Sequence, residues 1–289
     1  MKKNRKKTLS TIFKIAISVF LLYFVFTKIK FADVWTVIQG VKWSFIVLSI
    51  ALFLASQWVS AKRLLLFFKA SGFHLSANSN YALYLVGMFY NFFIPGGIGG
   101  DAFKIYKLHK KFDWSVKSLS AAVFMDRFMG LTAIGLILFS ISFELLPEPW
   151  TYFVIPLGIL LVIGSSYFFT RYSFPKFKQI YFAGLLSSLA VQLLQVGSVI
   201  CIIYSLDGPQ NVLSYVLVFL VSSVLSIFSF AGIGIREFVF YEASKMLQID
   251  SSQAVTIGLL FSIITAFVSL FGIIYHFRTP ELTLDENEL

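Results

Sequence analysis

Cys201 is the only cysteine in the chain. A lone thiol excludes an intramolecular disulfide and argues against a cysteine-based metal site. Three histidines, His74, His109 and His276, stand far apart, each near the edge of an apolar run. They are expected as interfacial side chains rather than metal ligands. Charge is also scarce: 13% of the 289 residues are Asp, Glu, Lys or Arg. Acids are the rarer sign, 14 against 24 bases, for a formal net charge of +10. Nucleic acid is a poor partner for that excess, because no polar domain carries it. The spacing Gly97-x-Gly99 suggests a nucleotide loop, but no strand precedes it, so no cofactor is implied.

Apolar residues fill the space that charge leaves, at 58% of the chain. Long, nearly uncharged stretches run over 11–27, 44–61, 79–99, 118–143, 150–169, 180–206, 211–235 and 251–277. About 17–25 apolar residues span a hydrocarbon core. The expected fold class is therefore an all-α polytopic membrane protein. Residues 1–280 form a single transmembrane domain, and 281–289 a short acidic tail with the composition of a disordered segment. The basic KKNRKK at 2–7 followed by an apolar run resembles a signal peptide, yet no small-residue cleavage site follows. The first run is expected to be a retained helix.

Basic residues cluster in the N-terminal tail and at 62–74, 104–117 and 171–178, whereas 144–149 and 207–211 carry acids and no base. Cytoplasmic loops are enriched in Lys and Arg. That places the N-terminus in the cytoplasm of a cell that holds this multi-pass protein in its plasma membrane. Lys28, Lys30 and Lys42 fall in the first outer loop and run against this orientation.

The segment "YNFFIPGGIGGDAFKIYKLHKK" at 90–111 has basic stretches on both sides. Two full crossings between them need about 40 residues, more than residues 77–103 supply. A re-entrant hairpin fits: one helix enters, breaks at Pro95–Gly100, and returns. Irregular backbone at membrane depth is tolerated only in protein or beside a watery cavity. A second break resembles the first. FFIPGGIGGDAF at 92–103 aligns with IFSFAGIGIREF at 227–238 at an offset of 135. Gly97, Ile98, Gly99 and Phe103 then match Gly232, Ile233, Gly234 and Phe238, and Asp101 falls opposite Arg236. Each break is the third of four apolar elements. The expected architecture is an inverted repeat, with pseudo-repeats at about 11–143 and 150–277, as in many secondary transporters. The alternative is eight plain spans with two glycine-rich kinks.

Several residues in and near the breaks carry chemistry. Asn91, Pro95, Gly96, Gly97, Gly99 and Gly100 form the first break, and Gly232 and Gly234 the second. A helix arm restarting after such a break presents free N–H groups to an anion. Asp101 and Glu237 stand just past the breaks, as caps or as proton or cation sites. Asp126 and Arg127 are adjacent charges inside an apolar run and need different partners. Arg127 suits a phosphate or one of the acids; Lys104, Arg63 and Arg236 are further headgroup candidates. Glu237, Tyr241 and Lys245 share a helix face that suits a salt bridge. No nucleophile–base pair or metal constellation is present, so no catalytic residue is assigned.

Three ordered motifs, "NFFIPGGIGGDAFKIYKL", "MDRFMGL" and "AGIGIREF", resemble the transmembrane region of lysylphosphatidylglycerol synthases, a family of flippase-like membrane proteins. The resemblance runs over about 10–280. On its pattern Asn91, Pro95, Gly96, Gly99, Gly100, Asp101 and Lys104 form one motif. Asp126, Arg127 and Gly130 form a second, and Gly232, Gly234, Arg236 and Glu237 a third. The family often has Arg where Lys104 stands, and a proline where Ile227 stands. The resemblance implies movement of an anionic, aminoacylated or polyprenyl-linked lipid between leaflets, with membrane lipids as the partners. In the full synthases a soluble domain transfers lysine to phosphatidylglycerol. This chain ends at "RTPELTLDENEL", so that domain is expected to be missing. A homo-oligomer, a lipid-modifying enzyme partner, and intramembrane headgroup chemistry by Asp101, Asp126 and Glu237 stay open as alternatives.

Overall fold

The computed structural model describes residues 39–93, 99–141, 151–206, 211–225, 235–278 and 282–285. The first apolar run, 11–27, and the glycine-rich tips at 94–98 and 226–234 lie outside them. So do Pro95, Gly96, Gly97, Gly232 and Gly234. Among the described residues the fold is all helical. Its α-helices are α1 (Trp43–Ala70), α2 (Ala77–Phe93), α3 (Gly99–Phe112), α4 (Val116–Ile141), α5 (Thr151–Ser173), α6 (Tyr181–Ser205), α7 (Val212–Leu225), α8 (Ile235–Leu247) and α9 (Ser251–Arg278).

Five of these, α1, α4, α5, α6 and α9, are long and apolar enough to cross a membrane. The chain is a multi-pass integral membrane protein. Its α5 shows how such a helix differs from one in a water-soluble protein. Phe153, Leu157, Leu160, Leu161 and Phe168 all point outward, where only lipid makes their exposure favourable. By contrast, α2 has 17 residues and α7 has 14. At about 1.5 Å per residue they reach roughly 25 and 21 Å, short of a core about 30 Å thick.

The centre of the bundle is the antiparallel pair α1 and α6. Buried positions on α1, among them Ile46, Ser49, Phe53, Ser56, Ser60, Arg63 and Phe67, recur at helical spacing and form one stripe. Small residues let the backbones approach. The Ser49 hydroxyl donates to the Ser198 carbonyl at 2.9 Å. Gly184 lies under Phe67, whose ring a methyl at 184 would meet at 2.9 Å. The sequence reading placed 62–74 in a loop, but α1 continues to Ala70. It can continue because Lys62 lays its stem along the helix, its Nζ 3.4 Å from the Trp58 ring centroid. Arg63 turns inward to a partner.

Contacts fix which helix ends lie together. At one end Phe73 and Phe112 both stack on Trp114, each at 4.6 Å. There Phe67 meets Phe177 at 5.4 Å, and Asn80 Nδ2 donates to the Ala61 carbonyl at 2.7 Å. This end gathers the C-termini of α1, α3 and α5 and the N-termini of α2, α4 and α6. At the other end the Lys42 amide donates to the Ser205 carbonyl at 3.0 Å. Gln253 accepts from the Tyr215 hydroxyl at 3.2 Å and donates to the Leu206 carbonyl at 3.4 Å. Thus α2 and α3 form an antiparallel pair that opens at the first end. The pair α7 and α8 opens at the opposite end.

Of the acidic tail, residues 282–285 lie among the described residues. They form a strap across the α1–α2 turn. The Ser76 amide donates to the Thr283 carbonyl at 3.0 Å, and the Asp285 amide to the His74 carbonyl at 2.9 Å. Lys69 reaches Asp285 at 3.4 Å. Backbone pairing with an exposed turn, which composition does not encode, holds this short stretch. His276 differs from expectation: it is buried, its Nδ1 3.1 Å from the Tyr90 hydroxyl. The ring is drawn inward because α9 packs closely on α2, where a methyl at Gly272 would overlap the Leu85 carbonyl.

Candidate functional site

The candidate site is built where α3 crosses α2 and meets α4. Gly100, buried in the first turn of α3, lies against the α2 backbone, and any side chain there would overlap the Gly87 carbonyl. Asn91, near the end of α2, turns its Oδ1 back to accept the Gly100 amide at 2.8 Å. That bond satisfies one of the N–H groups a helix start leaves free. Asn91 and Gly100 thus have a geometric reason for their identities: one caps α3, the other admits it.

Asp101 is the next residue, and it is buried. A carboxylate there suits the start of a helix, whose last turn carries His109, Lys110 and Lys111. Its Oδ1 accepts from Lys104 Nζ at 3.0 Å. Its Oδ2 accepts from Arg127, with Nε and Nη2 each 3.0 Å away. Two cations thus share one carboxylate. Lys104 is itself buried, its stem passing over Gly87 and its ammonium 4.7 Å from the Tyr84 ring centroid. A methyl at Gly87 would fill the channel this stem occupies. Arg127 differs: about half of its side chain is exposed.

The neighbouring charge, Asp126, faces the opposite way. Arg63 Nε donates to Asp126 Oδ1 at 2.7 Å, and Nη1 to the Ser188 hydroxyl at 2.8 Å. Both side chains are under a tenth exposed. Adjacent residues on a helix point about 100° apart, so one pair knits α4 to α1 and α6 and the other knits it to α3. Arg63, a headgroup candidate from sequence, is committed to this interior pair.

The second helix pair holds its charges differently. Arg236, in the first turn of α8, is buried at 8% exposure. Its Nη1 donates to the Ser262 hydroxyl on α9 at 3.2 Å, and that hydroxyl donates to Glu237 Oε1 at 2.7 Å. The guanidinium carbon lies 4.7 Å over the Phe261 ring, and Nε has no hydrogen-bond partner. Among the described residues no carboxylate makes an ion pair with it. The expected bridge along Glu237, Tyr241 and Lys245 is replaced. Lys245 takes Glu242 at 3.0 Å and lies over the Tyr241 ring, because Glu237 is drawn to Ser262.

The two contacts share a register. Asp101 and Arg127 are 26 residues apart, and so are Arg236 and Ser262. The offset of 135 that aligns the glycine breaks carries one contact onto the other. Sequence reasoning singled out the charges but missed Gly87, Tyr84 and Ser262. Their signal, a small or neutral side chain inside an apolar helix, is no different from ordinary packing.

The family model described as the lysylphosphatidylglycerol synthase TM region matches residues 11–183. The chain belongs to this family. The match takes in the first break, Asp101 and the Asp126–Arg127 pair, and ends before Arg236 and Glu237. The resemblance read over about 10–280 is therefore shown for the first part of that range. Comparison with curated proteins and with solved structures gives no match.

Proposed function

We propose that this family member is a lipid translocase. It moves an anionic, aminoacylated or polyprenyl-linked lipid between the leaflets of the plasma membrane, with its N-terminus in the cytoplasm. The observation that carries the reading is the opposed pair of short helix pairs, each with a charge buried where its second arm begins. Broken or short helices at corresponding places in two halves are where secondary transporters bind substrate. On this reading the chain is an inverted repeat, with α2–α3 and α7–α8 as its two re-entrant hairpins. The end that carries Lys69, Lys110, Lys111, Lys176 and Lys178 faces the cytoplasm. The headgroup is held by Asn91, Asp101, Lys104, Arg127, Arg236 and Glu237, together with the glycines of the two breaks, whereas Asp126 is committed to Arg63.

The chemistry supports a charged headgroup. Half-exposed Arg127 has guanidinium N–H groups to spare and forms bidentate bonds with phosphate or carboxylate. Beside it, Phe128, Leu131, Leu138, Val162 and Phe169 line an open apolar groove of about 490 Å³ that suits an acyl chain. Purified protein in liposomes with fluorescent lipids tests the reading. Leaflet exchange is expected for a charged-headgroup lipid, and its loss in Asp101→Asn. Well-folded protein that exchanges none of the lipids would sink it.

A further inference from the structure

The shared register singles out what the second helix pair lacks. In the first, the charge on the hairpin arm meets the opposite charge on the following helix, Asp101 against Arg127 at 3.0 Å. In the second, the charge on the arm is Arg236, and the corresponding position on α9 is the neutral Ser262. A buried charge left without a direct partner is costly. Here Arg236 is 92% buried, its Nε has no hydrogen-bond partner, and the Ser262 hydroxyl bridges it to Glu237 without a direct ion pair. Phe261 covers one face of the guanidinium and Gly258 lies beside its stem, where a methyl would come 3.6 Å from Cγ. The seam between α8 and α9 therefore holds a cation that still has an N–H to give.

We infer that Arg236 is a phosphate-binding residue, and that a ligand phosphate docking at the α8–α9 seam supplies the direct anionic partner that Ser262 does not. The inference deepens the translocase reading, on which it rests only for the source of the phosphate, a lipid headgroup. Guanidinium suits this task because its planar fork matches phosphate oxygens and its charge persists at any working pH. Ser262 acts as a positioning residue: it holds Nη1 and leaves Nε to the ligand.

The experiment uses the full chain in maltoside micelles, which contain no phosphate. Thermal stability and binding are followed with short-chain phosphatidylglycerol, with the matching diacylglycerol, and with inorganic phosphate. Phosphatidylglycerol is expected to stabilise the protein and diacylglycerol to do nothing. Arg236→Gln should weaken the phosphatidylglycerol affinity at least tenfold while leaving ligand-free stability equal or higher, since it removes a buried charge that has no direct ion pair. A purely structural arginine would instead lose stability on that change. The double variant Ser262→Asp with Glu237→Gln moves a carboxylate into contact with Arg236 at constant net charge. It should weaken the affinity as strongly in a folded protein. Unchanged phosphatidylglycerol binding in both variants overturns the inference, as does equal binding of diacylglycerol. Saturation by inorganic phosphate with no response to the lipid keeps the site and overturns the translocase reading. Lipid binding that depends on Arg236 without leaflet exchange does the same.

Discussion

In the first helix pair Asp101 holds Lys104 and Arg127 together. In the second, Arg236 holds only a serine hydroxyl, with an aromatic face beside it. The first pair crosses glycine on glycine, Gly87 against Gly100, and so brings α2 and α3 into backbone contact. The offset that aligns the two breaks puts Ser222 and Ile235 at those places in the second pair. Glycine admits the closest helix approach, and serine and isoleucine are larger residues. One pair is thus tightly closed and electrically satisfied. The other holds a cation whose partner is incomplete. Two elements of similar size, opening from opposite ends, therefore differ in how their buried charges are met.

This contrast can be broken from the first side. Asp126→Asn leaves Arg63 buried beside a neutral group, and removing one partner of a buried pair costs about 3–5 kcal/mol. A large fall in melting temperature, with loss of helical signal on mild heating, is the expected result. Next in size is Gly100→Ala. Its methyl has nowhere to go but the Gly87 carbonyl, and overpacking of this kind costs about 1–3 kcal/mol. Ser222→Ala, at the place that corresponds to Gly87, should change stability by clearly less. A similar loss in both would remove the backbone half of the comparison.

The strap gives a smaller and more local effect. Thr283→Val removes hydroxyl contacts with Ser76 and Ser79 at 2.8 and 3.2 Å while its backbone bonds remain. A net loss of about 1 kcal/mol is expected. Hydrogen exchange should quicken at the amides of Ser76, Ser79 and Asn80 before it does elsewhere in α2. Exchange that stays uniform along α2 would show that the strap holds nothing. The smallest effect sharpens the comparison from the second side. Lys245→Ala breaks an exposed pair with Glu242 at the far end of α8 from Arg236. Exposed pairs contribute little, so the melting temperature should not move. A clear shift would mean that the α8 surface is part of a contact, not a free face.

Much of the site was legible in the chain, and the reason is local. A glycine followed by an acid inside an apolar run is visible without any fold, because the cost of a charge in lipid makes it stand out. Asp101, Asp126, Arg127 and Arg236 were found that way. Adjacent charges must face apart on a helix, so separate partners for Asp126 and Arg127 also followed from sequence alone. Arg63 misled, because a base at the end of an apolar run looks like any cytoplasmic cation until α6 and α4 close around it. Ser262 could not have been found, since one serine among many apolar neighbours has no local mark.

The sequence by itself determined that this is a helical membrane protein, with two interruptions in register and a charge beside each. Those features depend on composition, period and spacing, which are properties of the chain alone. Tertiary structure decided which charge meets which. It decided that Asp101 serves two cations, that Arg63 is spent on Asp126, and that Arg236 meets a hydroxyl instead of a carboxylate. The physical reason is distance. These partners are 26 to 63 residues apart, except Lys104, which lies one turn from Asp101. Only packing of whole helices through small residues brings such groups to 3 Å.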